Sequence, residues 1–199
     1  MPVLDGDRID EVIAALQRGE VVAIPTDTVY GLAASLDDPG AVARLAELKG
    51  RAAEQPIAVL LDAAGAATAH LEDPAALDRV ARHWPGALTA IVRVKPGFAG
   101  AVATEAGTLG LRVPDDDLAR AVIGGCGGAL AVTSANRHGD APATSAAAVA
   151  AIFGDDLLVL DGGSRDGGVA STVVDLTVDP PRVLREGAVS VEGLGGELN

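Results

Sequence analysis

One cysteine, Cys126, stands among 199 residues, which excludes an internal disulfide. It lies in a Gly-Gly-Cys-Gly-Gly run, a setting that reads as structural rather than catalytic. The three histidines, His70, His83 and His138, are far apart and make no metal-ligand spacing. Four aromatic residues, Tyr30, Trp84, Phe98 and Phe153, cannot supply a large aromatic core. That core must come from Val, Leu, Ile and many alanines, whose small side chains demand close approach of helices and sheet. No apolar run reaches the roughly 18 residues of a membrane span, and the acidic start MPVLDGDRID has no secretory core. The expectation is a cytoplasmic protein. Basic residues are scarce as well: 15 Lys and Arg against 28 Asp and Glu leave a net charge of −13. This opposes a broad electrostatic grip on nucleic acid or an anionic membrane and leaves room for a local positive pocket. No P-loop, G-x-G-x-x-G or G-x-S-x-G motif occurs.

What is present is an ordinary globular balance, 49% hydrophobic and 22% charged, enough for one large domain. No biased linker or internal repeat divides the chain, so residues 1–199 are read as a single domain. Ile9, Val12, Ile13 and Leu16 recur at helical spacing before Gly19, which predicts an amphipathic helix over 7–18. Helices are also expected over 38–49, 62–69, 74–83, from Asp115, and over 144–153 with Thr144 or Ser145 as cap. Strands are expected over 21–25, 57–61, 87–94, 109–113, 129–133, 157–160, 171–176 and 182–184. Their mixing predicts an α/β fold with a mixed twisted sheet.

The most informative stretch is VVAIPTDTVYGLAAS, residues 21–35. An apolar strand runs into Pro25 and then Thr26-Asp27-Thr28, so hydroxyls stand at the end of a rigid element, where a small polar ligand can be gripped. A plain Ser/Thr turn is the alternative. Lys49-Gly50-Arg51 ends a helix, and its cations either complement the helix dipole or offer a phosphate a point charge beside a bidentate fork. Thr133-Ser134-Ala135-Asn136 places two hydroxyls and an amide after an uncharged strand, as a turn or as neutral ligand groups. No His–Asp pair is spaced to make Ser134 a nucleophile. Ser171 opens a strand and Arg185 closes another, while Arg112 is a cation in an apolar strand, expensive to bury unless paired.

In order along the chain, the segments PTDTVYGL, LKGR, QPIAVL, WPGALTAIV, LRVP, TSAN, DGG, STVVD and VLREGA resemble the YrdC/TsaC family of threonylcarbamoyl-AMP synthases. The resemblance runs from about Val21 to Ala188. It implies an α/β twisted sheet with a large concave cavity, in the single-domain form. The implied activity is nucleotidyl transfer: L-threonine, bicarbonate and ATP condense to threonylcarbamoyl-AMP and pyrophosphate. A tRNA threonylcarbamoyl-transferase complex then uses the product for the t6A modification at adenosine 37. The resemblance assigns Thr26, Arg112 and Ser171 to L-threonine. It assigns Lys49, Arg51, Gln55, Thr108, Ser134, Asn136 and Arg185 to the nucleotide, with Lys49 and Arg51 as the catalytic pair on the phosphates. Mg²⁺ is implied with ATP, its protein ligands unassigned, along with a weak contact to tRNA and no membrane. The chain departs from the family pattern at Ala52, Gln55 and Leu60. A module that binds RNA or ribosomes without synthase activity is the alternative, against which the net charge and the four aromatics weigh. Carbamoyl-adenylate chemistry of the hydrogenase-maturation kind is a third reading, but the zinc-finger and acylphosphatase-like regions that accompany it elsewhere are not found.

Overall fold

The computed structural model describes residues 3–50, 57–166 and 168–190, with the side chain of residue 155 left aside. Ten strands form one mixed sheet: β1 (Val3–Leu4), β2 (Val22–Ile24), β3 (Gly31–Ser35), β4 (Ala58–Leu61), β5 (Leu88–Arg93), β6 (Thr108–Arg112), β7 (Ala129–Ser134), β8 (Leu158–Leu160), β9 (Thr172–Asp175) and β10 (Arg182–Arg185). Their order across the sheet is β1-β8-β2-β3-β7-β4-β6-β5-β9-β10. Four helices accompany it: α1 (Ile9–Gln17), α2 (Pro39–Lys49), α3 (Asp117–Gly125) and α4 (Ala146–Phe153).

The helices form where the chain supplies their ends. Asp38 accepts from the amides of Gly40 and Ala41, Pro39 opens α2, and Gly50 closes it at φ +68° in the left-handed conformation. Asp116, one residue past the expected start, caps α3 through the Ala119 amide, and Ser145 caps α4 through Ala148. The segments expected as helices at 62–69 and 74–83 are short 3-10 turns instead, at Ala64–His70, Pro74–Arg79 and Ala81–His83. The first and last of these have no side-chain cap, and none is long enough to repay nucleation of an α-helix.

Two strands were not expected. β1 is a two-residue edge. β3 is central, antiparallel to β2 on one side and β7 on the other. Its sequence, Gly-Leu-Ala-Ala-Ser, has no β-branched residue and is strand only because both neighbours offer a ladder.

Alternation along the strands sends side chains to two separate cores. Val22, Ile24, Ala33, Leu130 and Val132 meet Val12, Leu16, Val122 and Ile123 of α1 and α3. Ala23, Leu32, Ala34 and Ala131 meet Val42, Leu45 and Val149 of α2 and α4 on the opposite face. Burial on both faces explains why β2 and β7 read as continuous apolar runs. Farther along the sheet, Val59, Ala90, Leu111 and Val174 continue the α2/α4 core. Their neighbours of opposite parity, Ala58, Leu60, Thr89, Ile91, Gly110, Arg112 and Val173, turn to the other face, where a cavity lies.

Candidate functional site: a cavity lined by hydroxyls and arginines

The cavity holds about 370 Å³, within the size range of small-ligand sites. Thr26, Thr108, Arg112, Ser134, Ser171 and Arg185 all line it. These expected residues come from widely separated parts of the chain and are joined only by the pairing of β3, β4, β5, β6, β7 and β9. Arg51 and Gln55 lie outside the described residues.

The turn after β2 is the Ser/Thr turn that the sequence offered, and its two threonines also belong to the cavity lining. Thr26 Oγ1 donates to the Val29 carbonyl at 2.6 Å and accepts from the amides of Thr28 and Val29, each at 3.3 Å. It also lies 3.1 Å from Thr28 Oγ1. The hydroxyl is thus locked by its own turn, and Thr26 is one of the residues that line the cavity.

Arg112 is 6% exposed and is paired. Its Nη2 donates to Asp27 Oδ1 at 2.6 Å, Nη1 to Thr28 Oγ1 at 3.1 Å, and Nε to the Gly86 carbonyl at 2.9 Å. Burial lowers its guanidinium below the usual arginine range, the Asp27 carboxylate opposes this, and the positive charge of Arg185 adds to the lowering. Burial lowers Arg185 in the same direction. Asp27 offsets the charge of Arg112, so the positive charge that the cavity wall offers to an anion such as a carboxylate or phosphate comes chiefly from Arg185.

Arg185 reaches back over Ser171, donating to its carbonyl at 2.8 Å and to its hydroxyl at 3.3 Å. The Ser171 hydroxyl is 2.8 Å from Thr89 Oγ1, on the adjacent strand. Thr89 was not among the expected site residues; the signal was a buried threonine in an otherwise apolar strand.

Lys49 does lie in the last turn of α2, as the dipole reading has it, but its side chain is buried and bonded across to the end of β7. It is 3% exposed, and its Nζ donates to the Ser134 carbonyl at 2.6 Å, to Ser134 Oγ at 2.7 Å and to Asn136 Oδ1 at 2.7 Å. Ser134 Oγ donates in turn to Asn136 Oδ1 at 2.7 Å, and Asn136 Nδ2 donates to the carbonyls of Arg137 and Asp140. Lys49, Ser134 and Asn136 therefore form one polar shelf that touches the cavity through Ser134, while Lys49 and Asn136 are not in its lining.

Tyr30 is fully buried beneath the Thr26 turn. Its hydroxyl donates to the Gly163 carbonyl at 2.9 Å, accepts from the Gly162 amide at 3.1 Å and lies 3.3 Å from Asp161 Oδ1. It shapes the site from behind and does so through Asp161-Gly162-Gly163, which the sequence presented only as a turn. A Cβ on Gly162 would stand 2.6 Å from Pro25 Cγ, so only glycine lets that turn press against the residue preceding Thr26.

Fold and site together define a twisted-sheet protein with a cavity on one sheet face, lined by apolar side chains among which hydroxyls and two arginines are set. The Sua5/YciO/YrdC family model, described as telomere recombination, matches residues 14–187, and the chain belongs to that family. It is 40% identical over 179 residues to threonylcarbamoyl-AMP synthase of Chromohalobacter salexigens, covering 85% of this chain and 93% of that protein. It is 38% identical over 193 residues to threonylcarbamoyl-AMP synthase of Bacillus subtilis, covering 93% of this chain and 55% of that one. The structure of Pyrococcus abyssi Sua5 complexed with L-threonine matches with a TM-score of 0.91 and 31% identity, over 99% of this chain and 62% of that chain. Escherichia coli YciO shares the fold, with a TM-score of 0.86 at 22% identity over 95% of this chain and 93% of that one. The chain thus spans under two thirds of the P. abyssi protein and little more than half of the B. subtilis protein.

Proposed function

We propose that this protein is an L-threonylcarbamoyladenylate synthase, a nucleotidyltransferase that condenses L-threonine, bicarbonate and ATP to threonylcarbamoyl-AMP with release of pyrophosphate. The observation that carries the reading is convergence. Thr26, Thr108, Arg112, Ser134, Ser171 and Arg185 line a single cavity, in a fold that matches a relative crystallised with L-threonine.

The chemistry suits these groups. The threonine amine attacks the bicarbonate-derived carbon, forming the carbamate C–N bond with loss of water. A carbamate oxygen then attacks the α-phosphorus, and the bond to the β-phosphate breaks as pyrophosphate leaves. Neither step requires a protein nucleophile. Positioning and stabilisation of negative charge suffice. In this reading Arg112 holds the threonine carboxylate from its Asp27-braced position, with Thr26 and Ser171 as hydroxyl contacts. Arg185, Thr108, the Lys49–Ser134–Asn136 shelf, Arg51 and Gln55 receive the nucleotide, with Lys49 and Arg51 supplying positive charge toward its phosphates.

Mg²⁺ is proposed to enter with ATP. Among the described residues no group of three or more His, Cys, Asp or Glu is placed to hold a metal, and no carboxylate lines the cavity. The ion therefore fits as one carried on phosphate oxygens and water, the usual manner of Mg²⁺ at nucleotide sites. The product's activated carbamoyl group is proposed to pass to a tRNA threonylcarbamoyl-transferase complex in the cytoplasm, with a weak contact between tRNA and this chain. No described helix is long and apolar enough to cross a membrane.

Pyrophosphate release from ATP and bicarbonate, measured with and without L-threonine, tests the proposal. Threonine-dependent release is expected. Folded protein that releases none, or releases it equally without threonine, sinks it.

A further inference from the structure

Arg165 belongs to none of the motifs that carry the family resemblance, yet it is enclosed directly behind the Thr26 turn. Its side chain is 14% exposed and pairs with Asp116, 10% exposed, Nη1 to Oδ2 at 2.8 Å. Asp116 is itself fixed, because its other oxygen caps α3 at the Ala119 amide. From this anchor, Arg165 Nη1 donates to the Thr26 carbonyl at 3.3 Å, and Nη2 donates to the Gly162 carbonyl. The guanidinium carbon lies 6.0 Å from the centre of the Tyr30 ring, and the Arg165 amide is held by the Thr144 carbonyl at 2.7 Å. One planar cation thus joins the N-terminus of α3, the 161–163 turn and the backbone of Thr26, a residue of the cavity lining.

We infer that Arg165 is a positioning residue for the Thr26 turn: braced by Asp116, it fixes the Thr26 carbonyl and so the place this turn takes in the cavity wall that meets substrate. The inference rests on the proposed function only for its last step, that the substrate met there is L-threonine. Arginine is needed because a fork reaches two acceptors in different directions at once, which an ammonium on a flexible stem does not reproduce. The contact is to a carbonyl behind the site, so Arg165 acts through Thr26 and not on substrate.

The test compares wild type with Arg165→Lys and Asp116→Asn by amide hydrogen exchange and by steady-state kinetics. The amides of Thr28 and Val29 report the turn directly, since both donate to Thr26 Oγ1. In both variants they should exchange about tenfold faster, with core amides of β7 unchanged. The KM for L-threonine should rise about tenfold while the KM for ATP stays within about twofold, the signature of one misplaced contact. Unchanged exchange at Thr28 and Val29, exchange accelerated equally throughout the chain, or equal rises in both KM values would each overturn the inference. If Arg165→Lys does not fold, Asp116→Asn retains the guanidinium and reads the same amides. If wild type shows no threonine-dependent pyrophosphate release, the proposed function falls, and the exchange measurement still decides the role of Arg165.

Discussion

Asp27 and Arg112 meet at 2.6 Å behind the cavity lining, joining the turn after β2 to the end of β6, 85 residues apart in the chain. Their side chains are 14% and 7% exposed, so the pair is nearly dry. Asp27 thereby neutralises and orients the cation that the proposed mechanism assigns to the threonine carboxylate. Removing one partner of such a pair leaves the other charge buried and uncompensated. Asp27→Ala should destabilise the fold by about 3 kcal/mol, at the lower edge of the range for broken buried pairs. Denaturant titration of folded protein gives that number. The isosteric Asp27→Asn, which still accepts a hydrogen bond, should cost less, about 1–2 kcal/mol.

Lys49 reverses a simple expectation from the sequence. A cation at a helix end would be removed with little loss of stability. Here its ammonium satisfies three oxygens of Ser134 and Asn136 in a buried shelf. Lys49→Ala should therefore cost about 2–4 kcal/mol through unsatisfied acceptors and lost packing, in addition to weakening ATP binding. Thermal unfolding followed beside calorimetric titration with ATP separates the two effects, and an unchanged melting temperature would count against this account of Lys49.

Ser171 links Thr89 on one side to Arg185 on the other. Ser171→Ala deletes the shared hydroxyl but leaves the Arg185 contact to the Ser171 carbonyl in place. The stability loss should stay near 1 kcal/mol, the net worth of one hydrogen bond. The larger effect should be on the KM for L-threonine, with the KM for ATP nearly unchanged. A steady-state comparison in which ATP suffers as much as threonine would move Ser171 out of the threonine pocket.

Tyr30 gives a pH prediction with a clear sign. Burial raises its hydroxyl above the ordinary value of 10, the Gly162 amide opposes the rise, and the Asp161 charge adds to it. The folded state therefore prefers the protonated phenol more than the unfolded state does. Its stabilising effect is complete below the unfolded value of 10 and is lost as pH climbs through the higher folded value. Since Tyr30 is the sole tyrosine, ultraviolet difference absorbance follows this one group. It should titrate later in folded than in denatured protein. Tyr30→Phe should remove that alkaline component and cost about 1–3 kcal/mol by leaving the 161–163 turn unpaired.

Much of this architecture was legible in the residue order. The period-3.6 spacing of Ile9, Val12, Ile13 and Leu16, the Asp38-Pro39 start and the Gly50 stop contain their own local reasons, so α1 and α2 fall where expected. The apolar runs of β2, β4, β7 and β8 announced strands buried on both faces. β3 was illegible because Gly-Leu-Ala-Ala-Ser has no strand preference of its own and borrows one from β2 and β7. The 3-10 turns between β4 and β5 were misread because apolar spacing alone does not register segments too short to hold an α-helix.

For the site, the chain by itself determined which chemical groups are available: hydroxyls after β2 and β7, few cations, one cysteine and no nucleophile spaced with a base. That selection already pointed to binding and charge stabilisation rather than nucleophilic attack. Only the tertiary structure decided what each group faces. Sheet register sends Arg112 to the cavity while Leu111 beside it enters the core, because neighbouring residues of a strand point to opposite faces. Long-range pairing, invisible to any local pattern, turned Lys49 inward to Ser134, set Asp27 against Arg112, and brought Arg165 behind Thr26.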